Sequence, residues 1–205
     1  MDLRKYWQSA LTGIEPSASP RPAAPVDAPD SIDFVRTGPG TLAGRYLRRF
    51  WQPVYIGALL DPGDTKPIRI LGEDLTLYRG ESGAPHLVGH RCAHRRTQLS
   101  TGTIEGDDIR CLYHGWKYRP DGQCIEQPAE HESSFAARIR IPAYPVQEYL
   151  GLIFAYFGEG APPEFPRYPD FEDPGVTVHV AEERRGVRSP FTDDGEQAPV
   201  LPGVV

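Results

Sequence analysis

The sequence predicts a mostly β fold, a small antiparallel sandwich or barrel with short N-terminal helices. Three observations carry this. With 21 glycines and 22 prolines in 205 residues the chain is rich in turns. Several apolar segments of two to seven residues lie between those turns at spacings typical of short strands. Helical spacing is confined to two short stretches before Pro53.

Taken in order, Leu3, Trp7, Ala10, Leu11 and Ile14 recur at helical spacing and predict an amphipathic helix over 1–15. Pro16, Pro20, Pro22, Pro25 and Pro29, interleaved with Ala and Ser, make 16–31 a linker, too poor in large apolar groups to offset the entropy of ordering it. A folded domain is expected over 32–183. Leu42, Tyr46, Leu47 and Phe50 line one face of a short helix opened near Thr41 and closed before Pro53. Candidate strands are Val54–Ile56, Ile68–Leu71, Leu75–Tyr78, Leu87–Val88, Ile109–Leu112, Trp116–Tyr118 and Gln123–Ile125. Pro120-Asp121-Gly122 turns the last two into a hairpin, proline fixing φ and glycine tolerating positive φ. The apolar run Gly151–Phe157 reads as a buried strand. From 184 to 205 neither period survives, and this end is expected to be disordered, as a truncation or frameshift would leave it.

The balance of 22 basic against 28 acidic residues, net −6, disfavours nucleic-acid partners, which need a concentrated basic face. No apolar run reaches the roughly 18 residues of a membrane span, so no membrane partner is expected. The first residues, Met1 to Trp7, lack the apolar stretch of a secretory signal, and the chain reads as cytoplasmic. Three cysteines in such a compartment favour metal or redox chemistry over a disulfide framework.

Cys92-Ala93-His94 and Cys111-Leu112-Tyr113-His114 are the informative residues. Each segment offers one thiolate and one imidazole, and the 16 residues between His94 and Cys111 suffice for a strand excursion and a return. Two loops meeting at their tips can hold a metal centre with two sulfur and two nitrogen ligands, and Gly89, Gly102, Gly106 and Gly115 let the backbone approach closely. A Cys₂His₂ zinc module is one alternative, although zinc ligands more often come as C-x₂₋₄-C or H-x₃₋₅-H pairs. Buried Cys and His without metal is another.

The spacing C-x-H, then C-x-x-H-Gly-Trp, resembles the Rieske [2Fe–2S] domain of aromatic-ring-hydroxylating oxygenases, of the phthalate-dioxygenase-like branch. The stretches Gly38–Pro53 and Gly151–Gly158 fit the same family. The resemblance implies a Rieske-type sandwich with a cluster-binding subdomain of two loops. It also implies one [2Fe–2S] cluster per chain, Cys92 and Cys111 on one iron and His94 and His114 on the other. The imidazoles are the implied electron exit and couple electron to proton uptake. Trp116 would shield the cluster, and Arg95 would lie near a subunit contact. Respiratory members brace the loops with a disulfide; its positions here correspond to Thr97 and Tyr113, so a potential near the low end of the family, of order −150 mV, is expected. Arg96 stands where this branch often has glycine and would strain the loop by about 1 kcal/mol if φ there is positive. Cys124 is expected to pack rather than ligate. His86, His90, His131 and His179 receive no role, and Arg48-Arg49, Glu182-Glu183 and Arg184-Arg185 read as solvated faces.

In the family this domain precedes a catalytic domain whose mononuclear iron sits on two His and a carboxylate. Only His131 and His179 follow His114, with no partner at ligand spacing. The resemblance therefore implies the electron-entry half of an oxygenase that hydroxylates or demethylates a ring. It would be fed by a reductase or ferredoxin, and would be a homo-oligomer in its full-length form. A stand-alone Rieske-type ferredoxin carrier is the alternative.

Overall fold

The computed structural model describes residues 35–130 and 133–180. The expectations for 1–15, 16–31 and 184–205, and those for His131, Glu182-Glu183 and Arg184-Arg185, lie outside the described residues.

A short helix α1 (Leu42–Leu47) leads into the strands. Thr41 caps it: its hydroxyl accepts the Gly44 N–H at 3.0 Å. The expected apolar face is not covered, because Leu42, Tyr46 and Phe50 all stay exposed. Nor is Arg48 a solvated charge. Its guanidinium donates to the Glu73 carboxylate and to the carbonyls of Leu71 and Thr37, both at 3.0 Å, tying α1 to a strand hairpin.

Among the described residues the strands form three antiparallel sheets. The first holds β1 (Trp51–Ile56), β10 (Val146–Tyr149) and β11 (Leu152–Tyr156), in the order β1-β11-β10. β2 (Thr65–Ile70), β3 (Glu73–Arg79), β4 (Pro85–Gly89) and β9 (Ala143–Tyr144) make the second, in that order. The third is a meander of β5 (Thr103–Glu105), β6 (Asp108–Arg110), β7 (Lys117–Tyr118) and β8 (Cys124–Glu126). A one-turn helix α2 (Ser133–Ala136) follows β8.

Two cores explain why β3 and β4 read as apolar runs rather than alternations. Leu75, Leu77 and Leu87 point to one core with Val54, Ile153, Ala155 and Phe157. Tyr78 and Val88, one residue out of step, point to a second core shared with Cys92, Leu99, Ile109, Cys111, Tyr118 and Cys124. With period two, burial on both faces makes successive residues apolar. The hairpin β3–β4 is thus the floor on which the third sheet and its loops rest. Leu87→Ala, a fully buried site in β4, is expected to cost about 2–5 kcal/mol of unfolding free energy in a denaturant titration.

Expected and observed strands differ in places. β2 stops at Ile70 because Leu71 and Gly72 both take positive φ (48° and 77°), the conformation of a two-residue hairpin turn. Leu150 and Gly151 (50° and 78°) make the same turn between β10 and β11. β6 stops at Arg110, so Cys111 and Leu112 belong to a loop. The short β5, β9 and β10 had no detectable period in the sequence.

Candidate metal centre

Two loops emerge from the third sheet and its neighbours with one frame used twice. In the first, Cys92 N–H donates to the Thr97 carbonyl at 2.8 Å, and Arg96 N–H donates back to the Cys92 carbonyl at 3.0 Å. In the second, Cys111 N–H donates to Trp116 O at 2.8 Å and Gly115 N–H to Cys111 O at 3.0 Å. Each loop is closed by bridge-paired residues, Arg91 with Gln98 and Arg110 with Lys117. Each also needs one left-handed residue to close: Arg96 at φ 62° and Gly115 at φ 72°. Glycine meets that need at Gly115; at Arg96 the Cβ crowds the carbonyl, at a cost of roughly 1 kcal/mol. Arg96→Gly is therefore expected to raise the melting temperature slightly, and a fall would show that the Arg96 side chain contributes more than its strain.

This frame buries the sulfurs and presents the rings. Cys92 and Cys111 are 1% and 2% exposed, whereas His94 and His114 are exposed. The imidazoles meet edge-on with ring centroids 4.5 Å apart. His94 is stacked on Trp116 at 4.8 Å, nearly parallel, and Tyr113 lies against His114 at 3.8 Å. Trp116, buried as expected, thus also fixes the plane of a candidate ligand.

Electrostatics around the sulfurs favour a bound cation. Burial pushes the Cys111 thiol up, the Cys92 sulfur beside it adds to this, and the N–H groups of Tyr113 and His114 directed at Cys111 oppose it. A metal would supply the positive charge that lets both thiols ionise. The His114 imidazole is held below its ordinary value, by lost hydration first and then by His94 and Arg95, which favours the neutral ring that ligation requires. Tyr118 Oη lies 3.2 Å from Cys92 Sγ and accepts the Ala93 N–H at 3.1 Å. Burial, then the Cys92 sulfur, raise the Tyr118 phenol well above its usual range, so it stays a protonated donor.

Among the described residues no group of three or more His, Cys, Asp or Glu side chains is placed to hold a single metal ion. Sulfur is paired with sulfur and imidazole with imidazole. That donor set fits a two-iron cluster with a sulfur end and a nitrogen end. Beside the site, the buried Gln127 amide is directed at the Cys124 thiol, and Pro128 closes over the second loop, its ring 3.0 Å from where a Cβ on Gly115 would stand.

The other candidates remain apart. Cys124 is buried in the same core, its thiol 3.6 Å from the Glu126 carbonyl. All three cysteines are free thiols, and no disulfide braces the loops. Arg95 is exposed. His86 lies against Tyr78 at 5.1 Å and Asp107 at 4.0 Å, and His179 is exposed. Sequence reasoning missed Tyr118 and Pro128 as neighbours of the site. The alternation of Trp116 and Tyr118 was a usable signal, since residues two apart on a strand share a face.

Known proteins resemble the chain over the segment that carries these loops. Residues 50–149 match the model of the Rieske [2Fe–2S] domain. The chain is 49% identical over 140 residues to the phenoxybenzoate dioxygenase subunit alpha of Ectopseudomonas oleovorans, covering 65% of this chain and 33% of that protein. It is 39% identical over 150 residues to the 5,5'-dehydrodivanillate O-demethylase oxygenase subunit of a Sphingobium species, covering 71% and 35%. The chain thus spans about a third of the length of the curated relatives it matches. Among solved structures, the reduced complex between oxygenase and ferredoxin in carbazole 1,9a-dioxygenase superposes with a TM-score of 0.57 at 32% identity, over 65% of this chain and 35% of that one. No helix among the described residues is long and apolar enough to cross a membrane. Loops, sulfur and imidazole pairs and family match agree: the domain at 50–149 is a Rieske [2Fe–2S] domain of the kind carried by ring-hydroxylating oxygenases.

Proposed function

We propose that this domain relays single electrons within an oxygenase, with Cys92 and Cys111 holding one iron of the cluster and His94 and His114 the other. When bound, the cluster supplies a one-electron carrier. The observation that carries the reading is the split between ends: two sulfurs buried side by side and two imidazoles exposed at the loop tips. With the cluster bound, the N–H groups of Tyr113 and His114 at Cys111 and the Tyr118 hydroxyl at Cys92 would hold the negative charge of the two thiolates in place. The exposed rings give electrons a short route to and from partners. The ferredoxin in the carbazole oxygenase complex supports an electron-donating ferredoxin or reductase as the donor. The dioxygenase and O-demethylase relatives support a mononuclear-iron oxygenase site as the acceptor.

Anaerobic reconstitution tests this. The expected product is coloured and carries about two irons and two acid-labile sulfides per chain. A colourless protein, or one that takes up zinc without sulfide, would contradict it.

A further inference from the structure

The two ligand loops share a device that lies outside the ligands. In each, the residue before the ligand cysteine is an arginine, and its Nη1 donates to the carbonyl of the left-handed residue five positions on. Arg91 reaches Arg96 O at 3.3 Å, and Arg110 reaches Gly115 O at 2.7 Å. That left-handed residue already uses its N–H to close the loop on the cysteine carbonyl, so its own carbonyl needs a partner from outside the frame.

The two clamps are unequal. Arg110 is pinned by carboxylates from two strands. Its Nε and Nη2 take both oxygens of Glu105 on β5 at 2.6 and 2.8 Å, and Nη2 also reaches Glu126 on β8 at 2.7 Å. Lys117 extends the network to Glu105 and Asp108, each at 3.3 Å. The Arg110 hydrogen bonds, ahead of the other influences, hold the Glu105 carboxyl down at about 2. Such a fork-to-carboxylate contact fixes the guanidinium plane as well as its position. Arg91, by contrast, is exposed and has no carboxylate partner among the described residues. Its loop is also the one closed by the strained Arg96.

We propose that Arg110 is a positioning residue. By holding the Gly115 carbonyl on an anchor fixed by Glu105 and Glu126, it keeps the loop of Cys111 and His114 in cluster-binding shape before the cluster arrives. The loop of Cys92 and His94, with its weaker Arg91 clamp, adapts around the cluster afterwards. This rests on the electron-relay reading for the identity of the cluster.

The test compares the reconstituted Arg110→Met, Arg110→Lys and Arg91→Met proteins with wild type. The readouts are the rate of cluster loss to an iron chelator, the g-values of the reduced cluster by EPR, and the melting temperature. Arg110→Met should lose its cluster about tenfold faster, the scale of one hydrogen bond from a charged donor, and should show shifted g-values. Arg110→Lys should recover part of the retention, while Arg91→Met should change the loss rate less than about twofold. A merely structural arginine lowers the melting temperature and leaves the g-values of the intact cluster alone. Wild-type g-values and loss rate in Arg110→Met would overturn the proposal, as would an equal effect from Arg91→Met. Should Arg110→Met not fold, the double variant Glu105→Gln, Glu126→Gln loosens the anchor while keeping the arginine. The same shift is expected there, and a wild-type signature overturns the proposal. Failure of the wild-type chain itself to take up a cluster would instead refute the electron-relay reading.

Discussion

Cys111→Ala is expected to abolish cluster assembly, while Cys124→Ala leaves it intact. Both thiols are buried in the same core, 2% and 1% exposed, so burial does not separate them. Placement does. Cys111 starts a loop that turns its sulfur toward Cys92 and receives the N–H groups of Tyr113 and His114. Cys124 sits in β8 with its thiol directed at the Glu126 carbonyl, as a small apolar packing residue. Loss of that sulfur leaves a small cavity, at a cost of about 1 kcal/mol in unfolding free energy. Iron and sulfide analysis of the two reconstituted variants distinguishes the roles. Cluster-free Cys124→Ala that still folds would make Cys124 a ligand and displace the present assignment.

Tyr118→Phe is expected to lower the reduction potential by about 40 mV. The phenol lies 3.2 Å from Cys92 Sγ, and a metal-bound thiolate can only accept, so the hydroxyl donates. Reduction adds negative charge to the centre and strengthens that bond, which makes the hydroxyl favour the reduced form. Its removal therefore shifts the potential downward. A difference of about 1 kcal/mol between oxidation states corresponds to roughly 40 mV for a one-electron couple. Phenylalanine keeps the ring in its buried place, so the shift reports the oxygen alone, apart from the lost acceptor of the Ala93 N–H. Voltammetry on the two proteins at one pH measures it. An unchanged potential would mean that the hydroxyl serves the Ala93 amide and not the sulfur. The same contact works against the very low potential that the missing disulfide alone suggests.

The candidate ligands were legible in the sequence because loop ligation leaves a local signature: Cys and His one or two residues apart, with glycine or a strained substitute where the loop needs positive φ. Arg96 shows this well. A residue out of place in the family pattern proves to hold φ 62°. The buried strands were equally plain, Leu75–Tyr78 within β3 and Leu152–Tyr156 within the run Gly151–Phe157 whose first residue belongs to the turn, since burial on both faces compresses into short apolar runs. What escaped had no local signature. The turns at Leu71-Gly72 and Leu150-Gly151 place leucine where asparagine or aspartate is the usual marker. Edge strand β10, Val-Gln-Glu-Tyr, is half polar. Arg48 read as a surface charge, yet it is held by a carboxylate 25 residues away, and Arg110, read only as part of a strand, is held by one 5 residues away; only the folded chain creates such pairings.

Two imidazoles and two thiolates are proposed to share one cluster, and pulsed EPR of the reduced protein with ¹⁵N-labelled histidine reads the nitrogens directly. Two coupled imidazole nitrogens are predicted in the wild-type protein and one in His114→Ala, should that variant retain its cluster. A reduced cluster with no histidine nitrogen coupling would contradict the assignment of His94 and His114 and with it the proposed path of the electron.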